Sequence, residues 1–207
     1  MQITVNLKGI EEVKAQLDRL KPKQQASAIA AAINKTAAKG KTEATRAITE
    51  RYNIKASEVS NSVSIRAASA AQGKLEATID IFGSTKKRGR SLNMIHFVER
   101  KVSQAKKRKR LKDGTSKQLR FNIIKGGGQK QILGDAALKN GAFIGNNGRT
   151  VFQRTGNARL PIKPVQVIGV SQMFNFKRIH DRVIDKIKAE FITELNRAIK
   201  GKIEGYL

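Results

Sequence analysis

His96 and His180 are the only histidines in the chain, and there is no cysteine. His96 lies in an apolar patch and His180 beside the start of a helical pattern, and neither has a metal-ligating or catalytic partner at local spacing. Disulfides, thiol catalysis and thiolate metal sites are excluded. The 16 carboxylates fall mostly where helices use them: Glu11, Glu12 and Asp18 early, Asp181, Asp185, Glu190 and Glu194 late. Glu76 and Asp80 lie on one alternating segment, where solvated strand positions describe them better than a divalent-cation site. Nuclease chemistry needs hard-cation ligands or an acid–base pair, and the basic half of the chain supplies almost none. Gly126, Gly127 and Gly128 lack the spacing of a phosphate-binding loop and read as a hinge. The sequence calls for no cofactor, no metal and no enzymatic activity.

What remains is the chemistry of charge. The 42 Lys and Arg give a formal net charge of +26. Between Ser84 and Lys130 there are 16 of them against Glu99 and Asp113, densest at Lys86, Lys87, Arg88 and Arg90, then at Lys106, Lys107, Arg108, Lys109, Arg110 and Lys112. Like charges at that density repel in any compact state, so the segment requires a polyanion, an acidic partner surface or solvent around it. The segment carries no Cys₂His₂ pattern, no RNA-recognition signature and no interleaved aromatics. Any nucleic-acid contact is therefore expected at phosphates, indifferent to sequence and weakened by salt.

The elements that must carry these residues follow from periodicity. Met1 to Leu7 alternates as a strand rather than reading as a signal peptide, and no apolar run approaches the roughly 20 residues of a membrane span. The expectation is a soluble chain made in the cytoplasm. Ile10, Val13, Leu17 and Leu20 mark a short amphipathic helix that Pro22 ends or bends. From Gln24 to Tyr52 a longer helix buries Ile29, Ile33, Ala37, Gly40, Ala44, Ile48 and Tyr52. Its small-residue stripe needs a close neighbour, with a sheet expected ahead of another subunit. Val63, Ile65 and Ala67, then Leu75, Ala77, Ile79 and Ile81, alternate as a one-sided antiparallel pair around the turn at Ala71–Lys74. Met94 to Val98 is apolar enough to be buried, and Leu119, Phe121 and Ile123 alternate within the basic stretch.

Asn147-Gly148 between two apolar runs is the strongest hairpin signal, because both central residues of a type I′ turn need positive φ. Pro161 and Pro164 suit an edge strand or a strand start. Phe176, Ile179, Val183, Ile187, Phe191, Leu195 and Ala198 define a C-terminal helix, flanked by the pairs Lys177/Asp181 and Lys186/Glu190. The expected fold is α+β: an antiparallel sheet packed by a long N-terminal helix and a C-terminal amphipathic helix. It forms one domain over residues 1–207, with residues 84–130 inserted as a basic arm or loop.

Gly141-Ala-Phe-Ile, Asn147-Gly-Arg149, Val151, Gln153-Arg154, Gly156, Arg159, Pro161-Ile162 and Val165 resemble, in order and spacing, the C-terminal half of the minor tail protein Z family of tailed bacteriophages. The opening Leu7-Lys-Gly-Ile10, the step Ala32-Ile-Asn34 and the basic middle fit the same family. The resemblance implies a virion structural protein, made in the host bacterial cytoplasm, that completes the head-proximal end of the tail and helps form the neck. It further implies a homo-oligomeric ring about the DNA passage, commonly a hexamer, in contact with tail tube, tail terminator and head-side connector proteins. Non-specific contact with double-stranded DNA is a secondary implication, and no membrane is involved. Within that frame Arg149, Arg154 and Arg159 are candidate subunit-interface residues that clamp carboxylates or face phosphates. The competing reading, from charge alone, is a non-structural nucleic-acid-binding protein associated with ribosome or nucleoid.

Overall fold

A computed structural model describes residues 15, 17–83, 91–98, 120–128, 130–131, 142–156 and 158–205. Pro22, which has no N–H to donate, stands at the first position of α1 (Pro22–Arg51), where none is required. The Lys21 N–H is taken up by Gln24 Oε1 at 3.2 Å. A short α2 (Ala56–Asn61) leads into β1 (Val63–Arg66) and β2 (Thr78–Ile81). Then come β3 (Ser91–Asn93), a 3₁₀ turn at Met94–Phe97, β4 (Arg120–Phe121) and β5 (Lys130–Gln131). The strands β6 (Phe143–Gly145), β7 (Thr150–Arg154), β8 (Ile162–Pro164) and β9 (Gln166–Ile168) precede α3 (Val170–Phe174) and α4 (Lys177–Ile203). The fold is α+β, as the periodicities imply. The strand expected at Met1–Leu7, the Leu7–Ile10 opening and the positions Ile10, Val13 and Leu119 lie outside the described residues.

The most extensive contact between elements is that of α1 with α4. A small-residue stripe leads one to expect a sheet as its neighbour, but the two helices pair antiparallel along most of their length. Small side chains make this possible. Ala28 and Ala32 meet Leu195, Ala198 and Ile199 at one end. Gly40 at the middle is so tightly covered that a Cβ there would stand 2.9 Å from Ile187 Cδ1 and 3.1 Å from Ile79 Cδ1. Gly40 is thus where both helices and the β1–β2 pair converge. Because α1 serves two neighbours, its buried surface is wider than one stripe. Ala28, Ala32, Thr36 and Ala47 are buried beside Ala37, Gly40, Ala44 and Ile48, whereas Ile29 and Ile33 are only half-buried.

The sheets are small. β1 and β2 pair antiparallel with Val63 opposite Ile81 and Ile65 opposite Ile79, the register that alternation demands. Ser69 and Lys74 exchange backbone hydrogen bonds of 2.7 and 2.9 Å to close the connecting turn. β6, β7 and β8 form an antiparallel meander, and β3 pairs with β9. The segment Pro161–Ile168 therefore divides between two sheets. Pro164 sits on an edge strand, and the switch is made at Val165, whose N–H bonds the Val151 carbonyl and whose carbonyl accepts from Met94 N, each at 2.9 Å. The main core gathers Ile48, Val59, Phe97, Val151, Met173 and Phe174 between these layers.

Ion pairs set the helix register. Lys39 reaches Glu190 at 2.5 Å and Glu194 at 2.6 Å, while Arg182 reaches Glu43 at 2.6 Å and Glu50 at 2.5 Å. The cation stands on α1 at one level and on α4 at the other, so a slip of one turn sets like charges together. Glu194 has a fully buried side chain also held by Arg197 at 2.7 Å. The ammonium groups of Lys186 and Lys39 lower the Glu190 carboxyl to about 2. Lys39 lowers that of Glu194 against its burial, and Arg182 with Arg46 lowers that of Glu50. These carboxyls are depressed in the folded chain, so their stabilisation is fully present above the ordinary value of 4.5 and fades as pH falls towards about 2. Thermal melting followed from pH 7 down to pH 2 is expected to hold nearly level to about pH 5 and then decline. In Glu190→Gln the decline is expected to be shallower and the neutral-pH melting temperature lower; an unchanged acid profile would show that the pair contributes nothing.

Candidate interaction surface

The basic segments spring from fixed points. Val98 bridges Phe121, and Asn122 N donates to the Phe97 carbonyl at 3.1 Å. Asn53 N bonds the Ile123 carbonyl at 2.8 Å and Lys125 N bonds the Arg51 carbonyl at 2.9 Å, stitching the returning chain to the end of α1. The chain thus leaves at Val98 and comes back at its neighbour. Between residues 84 and 130, Leu92, Met94, Ile95 and Phe97 are core residues, and the Gly83 carbonyl before them accepts from Val170 N at 3.0 Å. Gly126 and Gly128 adopt φ of +77° and +75° in the turn between β4 and β5, a conformation that favours glycine. The candidate contact residues Lys86, Lys87, Arg88, Arg90, Lys106, Lys107, Arg108, Lys109, Arg110 and Lys112 lie outside the described residues.

The meander holds the three candidate arginines. Asn146, Asn147 and Gly148 all take positive φ, at 50°, 51° and 80°, so the turn is broader than a two-residue loop, with Gly148 N bonded to the Gly145 carbonyl at 3.2 Å. Arg149 leaves this turn exposed, at the opposite end of β7 from Arg154. Arg154 places its guanidinium 5.0 Å over the Phe143 ring and donates through Nη1 to the Arg159 carbonyl. Arg154 and Arg159 are therefore brought together, and Arg149 is not. None of the three forms an ion pair among the described residues.

Two asparagines do work that periodicity does not reveal. The Asn93 side chain imitates a strand: Oδ1 accepts from Val151 N at 2.8 Å and from Ile95 N at 3.1 Å, and Nδ2 donates to the Val151 carbonyl at 3.2 Å. The meander is docked to the core through it. Asn34 treats Ala68 likewise, accepting from its N–H at 2.8 Å and donating to its carbonyl at 3.0 Å. The only sequence cue for Asn93 is an Asn preceding an apolar run, the pattern of a cap. Arg51, at the end of α1, lies 3.8 Å over the Phe176 ring.

The titratable groups are arranged for structure. His96 Nδ1 lies 3.6 Å from Glu58, and His180 packs edge-on to Phe174 with Nδ1 3.2 Å from Asp181. Asp80 pairs with Arg66 at 3.0 Å and Glu76 with Lys74 at 3.5 Å. Among the described residues no group of three or more His, Asp or Glu is placed to hold a metal ion, and no helix is long and apolar enough to cross a membrane.

The family model of prophage minor tail protein Z matches residues 7–207. The chain belongs to that family. It is a structural protein of a bacteriophage tail, and its place is the virion. The residues that carried the resemblance fold into the meander and its attachment: Phe143 and Ile144 in β6, Asn147 and Gly148 in the turn, Val151 in the core, Ile162 in β8. Ala32 packs on α4, and Asn34, two residues on, bonds Ala68. Neither curated proteins nor solved structures gave a match. In this minor tail protein Asn93→Ala leaves the Val151 N–H without its partner, while the Val151 carbonyl keeps its bond from Val165 N, and the loss costs about 2 kcal/mol. Hydrogen exchange is expected to quicken at Val151 ahead of Ile48; equal protection at both would show that Asn93 does not anchor the meander.

Proposed function

We propose that this minor tail protein completes the head-proximal end of the tail and contributes to the head–tail junction, as an oligomeric ring around the DNA passage. The observation that supports the reading is a cation surplus left over by the fold. Among the described carboxylates, all but Asp18, Glu58, Asp181 and Asp185 pair with a Lys or Arg of the chain. The surplus of +26 is therefore directed to partners. In a tail-family protein those partners are the acidic surfaces of tail tube, tail terminator and connector, with sequence-independent contact to duplex phosphates in second place. The basic runs within residues 84–130, at 84–90 and 99–119, act as assembly arms, and the anchor points at Val98–Phe121 and Gly83 flank them.

Negative-stain imaging of the purified protein, alone and mixed with tail tubes, tests the reading together with a variant in which Lys106, Lys107, Arg108, Lys109 and Arg110 are neutral. Native protein is expected to form rings or cap one tube end. The variant is expected to melt within about 2 °C of native, since solvated charges contribute little to stability, and to cap fewer tubes. Protein scattered along the tubes, or bound to RNA in a salt-resistant manner without rings, would contradict the assignment.

A further inference from the structure

From residue 136 to residue 180 the chain contains no Asp or Glu but seven Lys and Arg. The meander lies within this stretch, and its register assigns its faces. Phe143 stands opposite Phe152, Phe152 opposite Pro164, and Arg154 opposite Ile162. Residues two apart on a strand share a side, so these five form one face. Ile144 and Val151 belong to the other face and to the main core, whereas among the described residues Phe143, Phe152 and Ile162 join neither hydrophobic cluster. The two rings lie 6.0 Å apart, and the Phe152 ring covers Gly145, where a Cβ would stand 3.1 Å from it. Beside them Leu160 is 65% exposed.

We propose that this face docks an acidic segment of a different protein, one with apolar side chains interspersed among its carboxylates. Aromatic area with a half-buried arginine at its margin is the composition of protein-binding hot spots. Arg154 offers a planar donor set to a carboxylate, with its orientation already held by the Phe143 ring and the Arg159 carbonyl. Arg149 and Arg159 extend the positive field towards the two ends of β7. A second copy of this chain is poorly suited as occupant, because most of its described carboxylates are already engaged with its own Lys and Arg. Single-stranded nucleic acid is poorly suited as well. Base stacking needs an open ring face, and here Arg154 lies over Phe143 while Phe152 lies against Gly145. The proposal draws on the tail-junction reading only for the setting in which such a partner is met.

Fluorescence anisotropy with the full chain separates these occupants. The probes are a short labelled peptide alternating Glu and Leu, the same peptide with Gln for Glu, and labelled oligothymidine. The variants are Arg154→Glu and Ile162→Asn, with Lys188→Glu on the exposed side of α4 as a charge-matched control; Ile162→Ala replaces Ile162→Asn if the latter does not melt cooperatively. The Glu–Leu peptide is expected to bind native protein about tenfold more tightly than its Gln counterpart, and to lose about tenfold in Arg154→Glu and at the Ile162 variant but under about twofold in Lys188→Glu. Oligothymidine is expected to respond equally to Arg154→Glu and Lys188→Glu. Equal peptide losses in those two variants would reduce the effect to bulk charge. Oligothymidine binding that tracked Arg154 and Ile162 would assign the face to nucleic acid, and self-association lost in those variants by sedimentation would assign it to a second copy; each of the three overturns the proposal. Peptide binding does not depend on tail capping, so either reading can fail alone.

Discussion

The close approach of α1 and α4 at Gly40 is the constraint on which the rest of the molecule depends. With 39% hydrophobic residues and few aromatics, the chain has little large apolar surface to bury, and α1 in particular presents mostly Ala and Gly. Small side chains contribute little area each. Two long helices compensate by running against one another over most of their length, with packing density taking the place of side-chain bulk. Ile187 fills the space that Gly40 leaves, and Ile79 reaches the same point from β2. The helix pair therefore also seats the sheet. The charged pairs of Lys39 and Arg182 add less in energy than in specificity, because half-exposed pairs are weak and the buried Glu194 carries a desolvation cost, while a shifted register sets like charges side by side.

The same arrangement explains how charge is divided. The helices and the β1–β2 pair consume most of the described carboxylates, Glu194 even in a fully buried setting. Cations are left in excess on the remaining surface. A surface field of one sign speeds encounter with oppositely charged surfaces and opposes non-specific association of like-charged copies. The anchor points around Val98, Phe121 and the end of α1 fix where the chain leaves and rejoins the core on either side of the basic run.

Much of the fold was legible because certain residues have few conformational options. Alternation located β1 and β2, though the strands stop at Arg66 and start at Thr78, Pro164 took the edge-strand position open to it, and the Ile179–Val183–Ile187 spacing identified α4. Where residues have many options the reading thinned. A stripe of Ala and Gly fits a sheet or a helix equally well, so the principal partner of α1 could not be derived from its own sequence. Val165 lies in what reads as one extended segment, yet it bonds to both Val151 and Met94 and divides that segment between two sheets; such a division depends on distant chain and leaves no local mark. Asn93 imitates a strand through its amide, a role shared by no periodic pattern. Glu194 has the spacing of an ordinary solvent-facing helical acid and is instead buried beneath Lys39 and Arg197. Of the candidate site, the arginine meander was located by motif, while the aromatic face beneath Arg154 required the register.

The central claim is that the fold rests on the tight fit of Gly40 to Ile187. Thermal and urea denaturation of Gly40→Val, Ile187→Ala and the double variant tests it directly. Gly40→Val is expected to lose about 2 kcal/mol from overpacking and Ile187→Ala about 3 kcal/mol from the cavity it leaves. In the double variant the added methyl groups occupy that cavity, so its loss falls clearly short of the sum. Strict additivity, or a Gly40→Val variant as stable as the native chain, would contradict the account.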